Sequence, residues 1–185
     1  MKIVGMMIFT ACFWFAGTPL VQAQISKAKP KAQIKKAESK WEEASTDRVR
    51  TYVLRLKPGQ DLRAELEQFT KAKNLQAAYI VTCAGSLRKA ALRLADKSDS
   101  TSFDGKFEIV SLTGTLSADG PHLHISISDG TGKTIGGHLM VGCEIYTTAE
   151  IIIGDAVGLK MTRETDADSG YKELKVRKVT SAKNN

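Results

Sequence analysis

The sequence contains few cysteines and lacks the short motifs of the common nucleotide-dependent and serine-dependent enzymes. Its three cysteines, among 185 residues, form no CxxC pair, which excludes a cysteine zinc knot and thioredoxin-like chemistry. A GxGxxG segment, a P-loop and a GxSxG nucleophile elbow are all missing. The acidic residues form no paired arrangement that favours an acid–base hydrolase. These absences leave the histidines as the most informative residues for function.

Positive charge is concentrated near the N-terminus. The chain carries a net charge of +7, from 27 basic and 20 acidic residues. Residues 24–50 hold eight basic and four acidic residues, whereas residues 51–185 hold 18 and 16. A basic segment with a single aromatic residue, Trp41, and no defined fold is a poor indicator of nucleic-acid binding. We therefore interpret residues 24–50 as a basic tether, flexible or partly helical, attached to a nearly neutral domain.

The first 23 residues have the pattern of a secretory signal peptide. Lys2 precedes the apolar run Ile3–Ala16, Pro19 ends any helix, and small residues lead to a cleavage site between Ala23 and Gln24. The run is shorter than the ~20 residues that a membrane-spanning helix needs. The pattern predicts export to the periplasm or beyond, with no transmembrane helix in the mature chain. An uncleaved anchor is the alternative.

Residues 51–178 have the pattern of one α+β domain, followed by a tail at residues 179–185. Tyr52–Leu56 predicts a strand, and Asp61 predicts the start of a helix with Leu62, Leu66 and Phe69 on its buried face. Eight further runs predict strands: Ala78–Cys83, Lys89–Ala95, Phe107–Leu116, His122–Ser128, Thr134–Val141, Thr148–Ile153, Leu159–Thr162 and Tyr171–Val176. Glycines between most runs suggest turns. The pattern predicts a mainly antiparallel sheet with one packed helix, whose edges favour oligomerisation.

All three histidines of the chain lie within one short region. His122 and His124 are two residues apart, so on a strand both side chains point to the same face. A Gly-rich turn at residues 129–133 separates them from His138. If Thr131 is the centre of that turn, His124 lies directly opposite His138. Three converging imidazoles can bind a divalent transition metal, of which zinc is the first candidate, with an open position for water or a ligand.

Other assignments remain open at this stage. The histidines could instead line a polar groove without a metal, because a slip of one residue in register would move one strand's side chains to the other face. Glu108, Glu144 and Glu150 are candidates for a further ligand or base, but their spacing selects none of them. Cys83 and Cys143 lie in strand-like surroundings, and the sequence does not determine whether they form a disulfide.

Several ordered motifs resemble those of the PPC (plant and prokaryote conserved) family. The segment Gly105–Gly114 resembles that family's Gly-Arg-Phe-Glu-Ile-Leu-Ser-Leu-x-Gly motif, with Lys106 and Val110 as departures. Pro121–Ser126 and Gly136–Leu139 resemble its next two motifs. Cys83–Leu87 and Tyr146–Glu150 fit its flanking strands, so that the resemblance extends from Thr51 to Val176.

The resemblance implies a homotrimer of α+β domains in which the histidines form a metal site. It also implies protein–protein contacts through one segment: Gly105, Lys106, Phe107, Glu108, Ile109 and Val110. Plant members carry AT-hooks that bind DNA, but this sequence has no Arg-Gly-Arg-Pro hook. We therefore expect an exported trimeric protein that binds a metal and, through it, a small anionic ligand. DNA binding, a protein-interaction scaffold and a metal-dependent hydrolase are the alternatives.

Overall fold

The computed structural model describes residues 42–179. The predicted signal peptide, residues 24–41 of the predicted tether and residues 180–185 lie outside this range. The described chain contains the following elements: β1 (Val49–Leu56), α1 (Leu62–Ala72), β2 (Ala78–Arg93), β3 (Ser100–Leu116), β4 (His122–Ser128), β5 (Thr134–Leu139), β6 (Glu144–Ala156), β7 (Leu159–Thr165) and β8 (Lys172–Lys178). No helix in residues 42–179 combines the length and the apolar character that a membrane span needs.

Six strands form one antiparallel sheet in the order β1-β6-β2-β3-β4-β5. The end of β2 also pairs with β5, through Leu92 opposite Leu139 and Arg93 opposite His138. Strands β2, β3, β4 and β5 therefore form a closed ring at one end of the sheet. The remaining strands, β7 and β8, form a hairpin with its own two-stranded sheet. This architecture confirms the predicted antiparallel sheet with one helix.

Helix α1 begins where its sequence predicts, directly after Asp61. The Asp61 side chain accepts a hydrogen bond from the Ala64 backbone amide at 2.8 Å, which caps the N-terminus. After Ala72 the chain reverses through Asn74, which has a positive φ of 50°. Leu62 and Leu66 are fully buried against the sheet, whereas Phe69 is partly buried and meets the Tyr52 ring edge to face. The predicted apolar face of the helix is therefore confirmed.

The strands are longer than the sequence pattern predicts, because several glycines lie within strands instead of turns. Ala78–Cys83 and Lys89–Ala95 are parts of the single strand β2, which passes through Gly85 with register shifts on either side of Leu87. Strand β3 likewise begins at Ser100 and continues through Gly105. Glycine at Gly85 and Gly105 therefore does not mark a turn. Gly154 also lies within a strand, β6, where its lack of a side chain leaves room for the ring of Tyr79.

The segment just before the predicted domain start makes specific contacts with the domain. Strand β1 begins at Val49 and pairs with β6 from that residue on. The Thr46 hydroxyl donates a hydrogen bond to the Val157 carbonyl, and the Val157 amide donates to the Arg48 carbonyl. Further upstream, Glu42 forms an ion pair with Lys175 of β8. Residues 42–50 are therefore held against the same sheet and hairpin as the rest of the described chain.

Both cysteines of the domain are buried and unpaired. The Cys143 thiol donates to the Ala91 carbonyl, and its sulfur accepts from the Ala91 amide. Burial raises the pKa of Cys83 and of Cys143 to about 11. Both thiols therefore stay protonated at neutral pH, which makes them poor nucleophiles and poor metal ligands.

Gly114 in β3 provides a test of the packing between β3 and β4, the strand that carries His122 and His124. Its φ is +129°, and an added Cβ would collide with the backbone of His122 and Leu123 on β4. We expect Gly114→Ala to lower the free energy of unfolding by more than about 1 kcal/mol, because both the strained φ and the collision oppose it. Urea denaturation measures this change. Gly130→Ala is the control, since a Cβ there meets no atom within 4 Å; equal effects of the two substitutions would contradict the argument.

Candidate functional site

The turn between β4 and β5 is fixed by one aspartate side chain. Asp129 Oδ1 accepts hydrogen bonds from the Thr131 amide at 2.8 Å, the Thr131 hydroxyl at 2.6 Å and the Lys133 amide at 3.1 Å. These bonds lower the pKa of the Asp129 carboxyl, with the Thr131 hydroxyl as the largest cause. Gly132 takes the positive φ of +84° that the turn requires. The turn therefore sets the register of the two strands that follow from it.

That register brings the three histidines together as the sequence predicts. His124 lies directly opposite His138, and His122 lies on the same face of β4. The ring centroids of His124 and His138 are 4.3 Å apart. Those of His122 lie 5.1 Å from His124 and 5.3 Å from His138. The alternative register, with the histidines on different faces, is excluded.

The nitrogen atoms are placed as a transition metal requires. One ring nitrogen from each histidine lies within 4.8 Å of the other two. The Nε2 atoms of His122 and His124 are 3.2 Å apart. Two nitrogens at the usual Zn–N distance of 2.0–2.1 Å around a tetrahedral ion are separated by about 3.3 Å. The type and spacing of these donor atoms therefore fit a divalent transition metal.

A basic cavity of about 550 Å³ opens beside His122 and His138. Its lining includes four basic side chains that come from the helix, from β2 and from the hairpin: Arg63, Arg93, Arg163 and Lys172. Two acidic residues, Asp119 and Glu173, also line it. The cavity therefore has an excess of positive charge next to the three imidazoles.

Burial and neighbouring arginines keep two of the imidazoles neutral. Burial and then the charge of Arg93 lower the pKa of His138 from 6.5 to about 4. Burial and then the charge of Arg163 lower the pKa of His122 as well. A neutral imidazole offers a nitrogen lone pair to a metal ion, whereas an imidazolium does not. The lowered pKa values of His122 and His138 therefore favour the neutral form, which is the form that binds a metal ion.

The glutamates considered from the sequence do not join the histidines. Among residues 42–179, the group that could hold a metal ion contains the three histidines and no carboxylate. Glu144 instead forms an ion pair with Arg88, whose guanidinium holds the pKa of that carboxyl below its usual range. Glu108 and Glu150 lie on β3 and β6, outside this group. The candidate metal-binding group among the described residues therefore consists of three histidines, and the carboxylates of Asp119 and Glu173 line the neighbouring cavity outside this group.

The segment predicted to bind a protein partner lies in the middle of β3. Ile109 is buried, and the Phe107 ring packs against the core and against Gly105. Glu108 and Val110 are exposed, and the Lys106 ammonium lies 4.8 Å from the centre of the Tyr146 ring. Part of the segment is thus structural, and its predicted contact with a partner stays a prediction.

The sequence reasoning missed the arginines of the cavity. Arg93 reaches the site because β2 pairs with β5, and Arg163 reaches it because the hairpin lies beside β4. Neither residue is near the histidines in the chain, and neither belongs to a motif. Their positions depend on long-range pairing, which a single sequence does not reveal.

A profile of the Plants and Prokaryotes Conserved (PCC) domain matches residues 43–157. The bifunctional protein GlmU of a Synechococcus strain is 46% identical over 137 residues, which are 74% of this chain and 22% of that protein. The chain thus spans about a fifth of the length of the curated relatives it matches.

Two solved structures are similar to this chain over nearly their own whole length. A hypothetical protein of Salmonella is 44% identical with a TM-score of 0.71, and the match covers 75% of this chain and 99% of that one. A protein of Archaeoglobus fulgidus described as metal-containing is 27% identical with a TM-score of 0.57, over 67% of this chain and 91% of its own.

The lowered pKa of His138 predicts a specific pH dependence of stability. In the unfolded chain His138 takes up a proton near pH 6.5, but in the folded metal-free protein it does so only near pH 4. Protons therefore bind the unfolded state preferentially in this window, and the free energy of unfolding should fall as the pH falls from 6.5 to 4. Urea denaturation across this pH range should show a smaller fall in the free energy of unfolding for His138→Gln than for the wild type. Equal falls in both proteins would contradict the prediction.

Proposed function

This chain belongs to the Plants and Prokaryotes Conserved (PCC) family, and we propose that it is a metal-binding protein. In this proposal His122, His124 and His138 hold one divalent transition-metal ion. The observation that carries the proposal is the convergence of the three ring nitrogens within 4.8 Å. The similarity to the Archaeoglobus protein described as metal-containing gives it further support.

Zinc is the first candidate for the ion. It accepts three histidine nitrogens in tetrahedral sites, and the fourth position then stays open for water or another ligand. Copper, nickel and iron also bind imidazole nitrogen, so the donor set alone does not select among them. The basic cavity beside His122 and His138 supports a role in binding a small anion.

The metal content of the purified protein tests this proposal. We expect elemental mass spectrometry to find about one transition-metal ion per chain, and less than a tenth of that in His124→Ala. His124 is exposed, so its replacement should leave the free energy of unfolding within about 0.5 kcal/mol of that of the metal-free wild type. The loss of metal would then report on binding and not on folding.

Glu144→Gln is a control for the same measurement. Glu144 forms an ion pair with Arg88 and does not belong to the histidine group, so this variant should keep its metal. A metal-free wild type, after purification with added zinc and without chelators, would refute the proposed function.

We further propose that the protein is exported and forms a homotrimer. Export is supported by the signal-peptide pattern of residues 1–23. Assembly is supported by the edge strand β1, which pairs with β6 on one side and with no described strand on the other. Exposed sheet edges are normally covered or paired. Val53 on β1 and Val81 on β2 are 80% and 56% exposed, which adds an apolar surface near that edge.

Light scattering on the eluate of a sizing column tests the assembly. We expect a mass three times that of one chain. Val53→Lys should reduce that mass, because a charge on this surface opposes burial between copies. Val141→Lys is the control: Val141 is 62% exposed but lies beyond the end of β5, outside the sheet. A single-chain mass for the wild type would refute the trimer.

A further inference from the structure

We propose that the cavity beside the three histidines binds a small organic oxyanion, whose charged group bridges the bound metal and the guanidinium groups of Arg93 and Arg163. A carboxylate and a phosphate ester share the required chemistry. The inference rests on the metal site proposed above and names the class of ligand that completes it.

Arg93 is held next to His138 by strand pairing. The two residues are directly opposite in the β2–β5 pair, where the Cβ atoms of opposing residues lie about 4.5–5.5 Å apart and their side chains share one face. Arg93 Nη1 donates to the Lys97 carbonyl at 3.3 Å. This bond occupies one of the five N–H groups of the guanidinium and restrains it beside the cavity.

Arg163 is held next to His122 from the opposite side. Its backbone amide donates to Asp119 Oδ2 at 2.9 Å, which attaches β7 to the loop before β4. Its Nη2 donates to the Thr115 hydroxyl at 3.1 Å. Thr115 lies directly opposite His122 in the β3–β4 pair. Two guanidinium groups thus flank the histidines, one on the His138 side and one on the His122 side.

In the part of the chain that the structure describes, the guanidinium groups of Arg93 and Arg163 form no salt bridge. Salt bridges in residues 42–179 involve Arg63, Arg88 and Lys175 instead. Asp119 contacts Arg163 through the backbone amide and not through the guanidinium. Like charges concentrated beside a metal cation repel one another, and a bound anion relieves this repulsion. Guanidinium groups also match the paired oxygens of a carboxylate or a phosphate.

The size and lining of the cavity suit a ligand larger than an inorganic ion. Its volume of about 550 Å³ lies within the range of sites for small organic molecules. Apolar surface from Pro121, Leu123, Met140 and Tyr171 lines it together with the charged groups. An anionic head at the metal and the arginines, with a carbon body against these residues, matches this arrangement.

Calorimetric titration of the full-length zinc-loaded protein tests the inference. Phenyl phosphate and benzoate are the probes, because they carry the same ring on the two different anionic heads. We expect at least one of them to bind, and the tighter one identifies the class of head group. Arg93→Gln and Arg163→Gln should each weaken that binding tenfold or more while the zinc content stays at about one per chain.

Arg55→Gln is the matched control. Arg55 also donates one hydrogen bond to a threonine hydroxyl of a neighbouring strand, at 3.1 Å, and its replacement removes the same charge outside the cavity. Its affinity for the probe should equal that of the wild type. Circular dichroism verifies that all three variants are folded.

The possible failures are distinguishable. A zinc-loaded wild type that binds neither probe would overturn this inference and leave the metal site intact. Equal weakening in all three arginine variants would also overturn it, because a general loss of positive charge would then explain the binding. A protein that retains no zinc would refute the metal site itself.

Discussion

The antiparallel pairing of β4 with β5 is the constraint on which the site depends. Strand side chains alternate between faces, so a slip of one residue in this pairing would separate His138 from His124 and place it on the other side of the sheet. The Asp129 carboxylate prevents such a slip by accepting three hydrogen bonds within the turn. A single side chain in the turn thus supports the register that brings the three imidazoles together.

The pairing of β2 with β5 brings Arg93 into the cavity beside the histidines. Strand β2 runs from the middle of the sheet, where it lies between β6 and β3, to the closed ring, where its last residues meet β5. The same strand therefore contributes to the core through residues such as Leu87 and to the cavity through Arg93. The pairing of β2 with β5 therefore places the positive charge of Arg93 beside the histidines. The buried core stabilises the β2 backbone that carries Arg93.

The sequence was sufficient to predict the histidine cluster but not its surroundings. His122, His124 and His138 are linked by a short turn, so alternation along a strand and the position of Thr131 determine their arrangement. Glycine proved ambiguous: the same residue type marks a turn at Gly132 but lies within a strand at Gly85, where space is limited by the neighbouring strand.

The positions of Arg93 and Arg163 in the cavity could not be predicted from residues near them in the sequence. Arg93 and Arg163 reach the histidines through strands that are adjacent only in the folded protein. The boundaries of β2 and β3 were wrong for a related reason, since pairing on both sides of a strand extends it through residues with low strand propensity.

The hairpin of β7 and β8 lies outside residues 43–157, the range of the PCC match, and its ladder is internal to its own two strands. It is joined to the rest of the domain by contacts such as that between the Arg163 amide and Asp119. The cavity-facing part of this hairpin therefore takes no part in the ladder between β4 and β5. Selection can reshape one wall of the cavity while the three histidines stay in place, which gives this fold a route to a differently lined cavity beside an unchanged histidine cluster.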